Sequence, residues 1–272
     1  MPELPEVETT RRGIAPHIIG TRLSGITMRE WRLRWRVAET LPALAAGRWI
    51  EGVDRRAKYL LIHLSGDHHL ILHLGMSGSL RLNDAVAPYQ PHDHVIIHLS
   101  SGQELRLNDP RRFGSLHITA ANPANHALLA GLGPEPLSAA FNGDYLYAHS
   151  RRRRASTKAF IMDGKIVVGV GNIYAAEALH RTGIHPSRPA NRVGRTRYRR
   201  LADAIKGILA EAIEVGGTTL RDFTASDGQP GYFLQSLTVY GRAGKPCPRC
   251  GRSLRSRIIG QRTTVFCPGC QT

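Results

Sequence analysis

Residues 2–9 read Pro2-Glu3-Leu4-Pro5-Glu6-Val7-Glu8-Thr9. Met1 precedes a proline, a pairing at which the initiator methionine is normally trimmed. The terminus is then a prolyl amine, a secondary amine able to attack a sugar C1′ and form a cationic iminium. An α-amino group has a reference pKa of roughly 7.7–8.0, so part of it is unprotonated near neutral pH; a lysine, near 10.4, must be desolvated to match it. Glu3 and Glu6 are three apart, and on a helix they share a face beside that amine. The pattern predicts one helix over residues 3–18, ending before Gly20. The same stretch also serves as an ordinary helix start, with proline in the first turn and acids favoured by the helix dipole. Residues further along decide between the two.

All four cysteines fall in the last 26 residues: Cys247-Pro-Arg-Cys250, then sixteen residues, then Cys267-Pro-Gly-Cys270. Two such pairs at this separation predict one structural zinc (Zn2+), closed to substrate and standing in for the core that so short a segment lacks. Disulfides would need an oxidising compartment, and the acidic, proline-containing start is not an export signal. Leu254–Ile259 and Thr263–Phe266 read as two strands around Gly260-Gln261, so the zinc is expected to hold a β-hairpin.

The chain has 272 residues, 42% of them hydrophobic, enough for one large or two modest domains with a real core. No apolar run approaches the ~18 residues that a membrane span needs. The net charge is +16 and the isoelectric point near 10.5. That points to a polyanion, with nucleic acid the first candidate. A basic ribosomal or membrane-surface protein would share the charge, but here it is spread through segments patterned for folding. The longest basic run, Arg151–Arg154, suits a solvated helix start and a phosphate contact equally.

Up to about residue 120 the chain is strand-like. Tyr59–Leu64 and Leu70–Leu74 flank a turn at Ser65-Gly66-Asp67, and His94–Leu99 and Glu104–Leu107 flank another at Ser100-Ser101-Gly102. Ser115–Thr119 adds a strand, and the set suggests a β-sandwich. After the hinge-like tract Gly131–Pro136 the pattern turns helical around 141–149, 154–163, 173–182 and 195–215. A long loop follows over 216–232, of a length that is often functional.

With these parts in hand the chain resembles, end to end, the bacterial formamidopyrimidine-DNA glycosylases. The anchors are the Pro2–Thr9 start, Arg55–Leu60, His73–Leu80, Asp109-Pro-Arg-Arg-Phe-Gly114, Val168–Ala175 and the four-cysteine tail. The resemblance implies an α+β fold: an N-terminal β-sandwich with flanking helices over 1–133, a helical domain with a helix–two-turn–helix motif over 134–240, and a zinc β-hairpin over 241–272. DNA would lie in the cleft between. Gly164 departs from the family, standing where relatives often carry an amide side chain.

The resemblance also carries roles. Pro2 would be the nucleophile, Glu3 the group that protonates the sugar ring oxygen, and Glu6 the carboxylate that helps hold the site. Lys58 and Arg262 would join this catalytic set by engaging DNA phosphate, though Lys58 also reads as a surface lysine. A duplex base must be rotated out before its C1′ can be reached, at a cost of about a few kcal/mol. Met76, Arg111 and Phe113 would fill the gap, and Gly75-Met-Ser-Gly78 reads as an exposed turn. Asn172 opens a helix after Gly169-Val-Gly171, a ready anion site, and would take a phosphate. His73, His92 and Lys158 are expected DNA contacts of lesser weight. The loop from about Gly217 to Tyr232 would cover the flipped base.

The function implied is a bifunctional glycosylase and abasic-site lyase of base excision repair, removing 8-oxoguanine and formamidopyrimidines from double-stranded DNA. It would act as a monomer in a bacterial cytoplasm. An endonuclease VIII-like enzyme for oxidised pyrimidines shares the Pro-Glu start and the zinc tail. A non-enzymatic zinc-hairpin binder would explain the charge and cysteines but not the terminus.

Overall fold

The computed structural model describes residues 2–217 and 236–272. Most of the expected lesion-covering loop therefore lies outside the described residues. Two compact units are present, one of residues 2–130 with 215–217, the other of 131–214 with 236–272. Among the described residues no helix is long and apolar enough to cross a membrane.

The first unit opens with helix α1, Leu4–Ile18. Eight strands and a short helix follow: β1 Leu23–Met28, α2 Leu41–Ala45, β2 Ile50–Arg56, β3 Tyr59–Leu64, β4 His68–His73, β5 Ser79–Asp84, β6 Asp93–Leu99, β7 Gln103–Asn108 and β8 Ser115–Thr119. They form two four-stranded sheets, β1-β6-β7-β5 and β2-β3-β4-β8, antiparallel throughout. Alternation decides which faces meet. Leu60, Ile62 and Leu64 of β3, Leu70 and Leu72 of β4, Val95, Ile97 and Leu99 of β6, and Leu105 and Leu107 of β7 share one buried core. Val7, Ile14 and Ile18 of α1 close onto it. This is the expected β-sandwich with a flanking helix.

The second unit holds α3 Gly143–Ser150, α4 Thr157–Ile161, α5 Asn172–Arg181 and α6 Arg195–Glu214, then the hairpin β9 Arg255–Ile259 with β10 Arg262–Phe266. α3 and α4 begin later than the periodicity suggests because side chains cap them: Asn142 accepts from Tyr145 N at 2.9 Å and Ser156 from Ala159 N at 3.2 Å. α6 buries Tyr198, Leu201, Ala202, Ile205, Leu209 and Ala212, a single stripe at helical spacing. Gly143 lets α3 press on it, since a Cβ there would lie 2.2 Å from Arg199 Cα.

Candidate catalytic and DNA-binding site

Pro2 and the two carboxylates are all buried at the start of α1. Glu3 is the N-cap rather than a helical residue, and a capping box joins it to Glu6. Glu6 Oε2 accepts from the Glu3 backbone N at 2.8 Å, and the Glu3 carboxylate accepts from the backbone N of Glu6. The pair is thus brought together by reciprocal capping, not by a shared helix face. Glu6 fixes the main chain that carries Glu3, while Glu6 Oε1 faces Gly217, where an added Cβ would stand 3.1 Å away.

Lys58 sits in the β2–β3 turn, just after Ala57, whose φ of 57° marks a tight left-handed turn. Arg55 Nη1 donates to Ala57 O at 2.8 Å, and Arg55 Nε reaches Glu8 Oε2 at 3.2 Å. Glu8 also binds Arg11 at 2.8 Å. Its burial favours the neutral acid, but the guanidiniums of Arg11, Arg12 and Arg55 outweigh that and hold it below the usual carboxylate range. The turn bearing Lys58 is thereby tied to α1.

His73, at the end of β4, packs against Tyr59 with ring centroids 4.8 Å apart and the planes tilted by 60°. Burial, then the charges of Lys58 and Arg34, push it down to about 4. Its Nδ1 accepts from Gly75 N at 2.8 Å, so the neutral ring carries its proton on Nε2 and can offer a phosphate a hydrogen bond without a charge.

The three wedge candidates come from two loops that Asp109 pins together. The fully buried Asp109 carboxylate accepts from Ser77 Oγ at 3.0 Å and from Gly114 N at 2.7 Å. A Cβ on Gly75 (φ +71°) would lie 2.4 Å from Gly114 N, so glycine is required where the loops meet. Of the Gly75–Gly78 turn only Met76 is exposed and the other three residues are buried, which corrects the expectation of an exposed turn. Met76 (38% exposed) and Phe113 (40%) are presented to solvent, and the Arg111 guanidinium lies 4.8 Å over the Phe113 ring. His92 is exposed at φ 71°, and its carbonyl accepts from Asp109 N at 3.0 Å.

In the second unit Asn172 is the first residue of α5, after Gly171. Its Oδ1 accepts from Lys158 Nζ at 2.5 Å and its Nδ2 donates to Thr263 O at 3.2 Å. Lys158 is 1% exposed and also donates to Thr264 Oγ1 at 2.6 Å. Its ammonium is directed inward, holding α4, α5 and β10 together, and is not displayed as a surface phosphate ligand. Arg262 is exposed beside the hairpin turn, where Gly260 and Gln261 both have positive φ (56° and 60°), as a two-residue I′-type turn requires.

The cysteine donor atoms all lie within 4.8 Å of one another. Cys250 Sγ and Cys267 Sγ are 3.4 Å apart, Cys247 Sγ and Cys270 Sγ 4.0 Å. Thiolates around a tetrahedral zinc at about 2.3 Å stand roughly 3.8 Å apart, so the four residues fit that ion. His180 Nε2 lies 3.4 Å from Cys247 Sγ.

Family models match three consecutive parts of the chain: the formamidopyrimidine-DNA glycosylase N-terminal domain at residues 1–116, the H2TH domain of the same enzymes at 132–224, and the zinc finger found in FPG and IleRS at 244–272. A formamidopyrimidine-DNA glycosylase from Alkalilimnicola ehrlichii is 62% identical, with both chains covered fully. One from Xanthomonas campestris pv. campestris is 59% identical at the same coverage. The chain belongs to the formamidopyrimidine-DNA glycosylase family. It is a DNA glycosylase and abasic-site lyase of base excision repair, acting on oxidised purines, with one structural zinc. Among solved structures, MutM (Fpg) of Thermus thermophilus superposes with a TM-score of 0.90 at 43% identity, covering 99% of this chain and 98% of its own. Lactococcus lactis Fpg in complex with DNA containing an abasic site gives 0.92 at 33% identity, covering 99% of each chain.

Several residues that shape this glycosylase escaped sequence reading: Asp109 and Ser77 behind the wedge candidates, Glu8 and Arg55 behind Lys58, and His180 beside Cys247. Asp109 opens the Asp109–Gly114 motif, yet nothing in its neighbours announces that its carboxylate bridges two loops. Glu8 reads as one more helix acid, and its role depends on an arginine 47 positions away.

Proposed function

We propose that Pro2 is the nucleophile of this glycosylase. Its nitrogen attacks C1′ of the damaged nucleotide, and the C1′–N9 bond breaks as the purine leaves with the proton that the amine gives up. Glu3 delivers a proton to the ring oxygen, which opens the sugar, and the nitrogen lone pair completes the iminium. Loss of a proton from C2′ expels the 3′ phosphate, and a second elimination expels the 5′ phosphate, leaving a one-nucleotide gap. Glu6 holds Glu3 in place. The single observation that carries this reading is the reciprocal capping that fixes two buried carboxylates next to Pro2.

The other residues bind and position. Lys58 supplies positive charge to phosphate, and neutral His73 donates through Nε2. Asn172 and Arg262 take phosphates from the second unit, with Lys158 orienting the Asn172 carboxamide. Met76, Phe113 and Arg111 occupy the space left by the extruded nucleotide, the arginine meeting the orphaned partner base, while His92 flanks them. The sandwich, the helical segment and the zinc finger divide near residues 133 and 240, and the enzyme works as a cytoplasmic monomer on duplex DNA bearing oxidised purines or abasic sites. Zinc shapes the finger and takes no part in the chemistry.

Borohydride reduction of processed protein mixed with 8-oxoguanine duplex should trap a covalent adduct. Pro2→Gly should lower trapping and strand cleavage by orders of magnitude while leaving DNA binding intact. Fully processed protein that yields no adduct would rule out the iminium.

A further inference from the structure

Away from this site, β3 and β4 set two imidazoles against each other. His63 and His69 are direct cross-strand partners. Their neighbours Ile62, Leu64 and Leu70 turn into the core, so both histidines occupy the opposite face of the sheet. The two Nδ1 atoms are 2.8 Å apart, and His63 Nε2 lies 2.9 Å from Asp54 Oδ2. With the carboxylate accepting from Nε2, neutral His63 keeps a lone pair on Nδ1, into which His69 Nδ1–H donates. A carboxylate that fixes one ring nitrogen so that the other can ligate is the usual support of a metal-binding histidine. Beside His69 opens a groove of about 490 Å³, lined by Asp67 and residues 120–123.

We infer that His63 and His69 form a second metal site, taking Cu2+ or Ni2+ between their Nδ1 atoms. Imidazole nitrogen suits both ions, and Cu2+ stands at the top of the affinity order for such ligands, with Ni2+ next below it. On loading, the His69 proton moves from Nδ1 to Nε2, so no net charge is lost from either ring. Each imidazole turns about χ2, a soft torsion, to aim its lone pair at the ion. The ion bridges the strand pair whose other end places Tyr59 opposite His73, so it braces the sheet behind the phosphate-binding residues without entering the reaction.

The test uses full-length, zinc-loaded protein. One equivalent of Cu2+ beyond the zinc should survive gel filtration, with electron paramagnetic resonance showing coupling to two imidazole nitrogens. Ni2+ should raise the unfolding temperature. His63→Gln and His69→Gln, which keep a polar outer face, should each lose the extra equivalent and the thermal shift, and Asp54→Asn should weaken uptake about 10–100-fold. No uptake beyond zinc, or equal uptake by the His63→Gln/His69→Gln double variant, would overturn the site.

Discussion

At the scale of single residues, burial decides what the charged and polar groups of this glycosylase do. His73 is held neutral by its surroundings, down to about 4 from 6.5. Between those values the unfolded chain binds more protons than the folded one, so stability rises with pH there. His73 therefore contributes stability that is fully present above about pH 6.5 and is lost as pH falls toward 4, on the order of 3 kcal/mol. Urea unfolding of wild type against His73→Asn between pH 4 and 7 should show this acid limb shrinking in the variant. Asp109 acts through its hydrogen bonds to Ser77 and Gly114, on the two loops that present Met76 and Phe113. Asp109→Ala leaves buried donors unmatched, at about 1–3 kcal/mol each. Excision of 8-oxoguanine should fall at least tenfold, while cleavage at a preformed abasic site, where extrusion is easier, should fall less. Equal losses on both substrates would remove Asp109 from wedge positioning.

At the scale of elements, those with strong periodicity were legible and those held by neighbours were not. The β3–β4 and β6–β7 hairpins read directly from apolar alternation and turn residues. β1, with its burial confined to Leu23, and β2, which carries Glu51, Asp54, Arg55 and Arg56, were seen only as part of a strand-like region. Pairing with β6 and β3 supplies what their own sequences lack. The zinc hairpin is the opposite case, since its cysteine spacing is local. Its small core joins Val239, Leu254 and Val265 to Ala176 of α5, so metal loss should reach Asn172 through β10. Chelation is expected to weaken DNA binding at least tenfold and to melt the finger, while the sandwich keeps its own core. Circular dichroism and a binding titration after chelator treatment and zinc add-back would check both.

At the scale of the whole molecule, a charge of +16 makes DNA affinity a salt-dependent quantity. If 6–10 phosphates are contacted, affinity should drop about 10³–10⁵-fold between 50 and 200 mM salt. A binding isotherm that barely moves over that range would argue against the phosphate contacts assigned to Lys58, Asn172 and Arg262.

The sequence by itself determined the chemistry on offer and the local scaffolding: a prolyl terminus with two glutamates, strand and helix periods, a glycine-glutamine turn and four cysteines at zinc spacing. These are properties of residues close together in the chain, where backbone geometry alone sets the distances. Only the tertiary structure decided that Lys158 is buried under Asn172, that Asp109 fastens two loops and that Glu8 anchors the Lys58 turn. Each of these rests on a contact between distant segments whose register is fixed by the packing of the core.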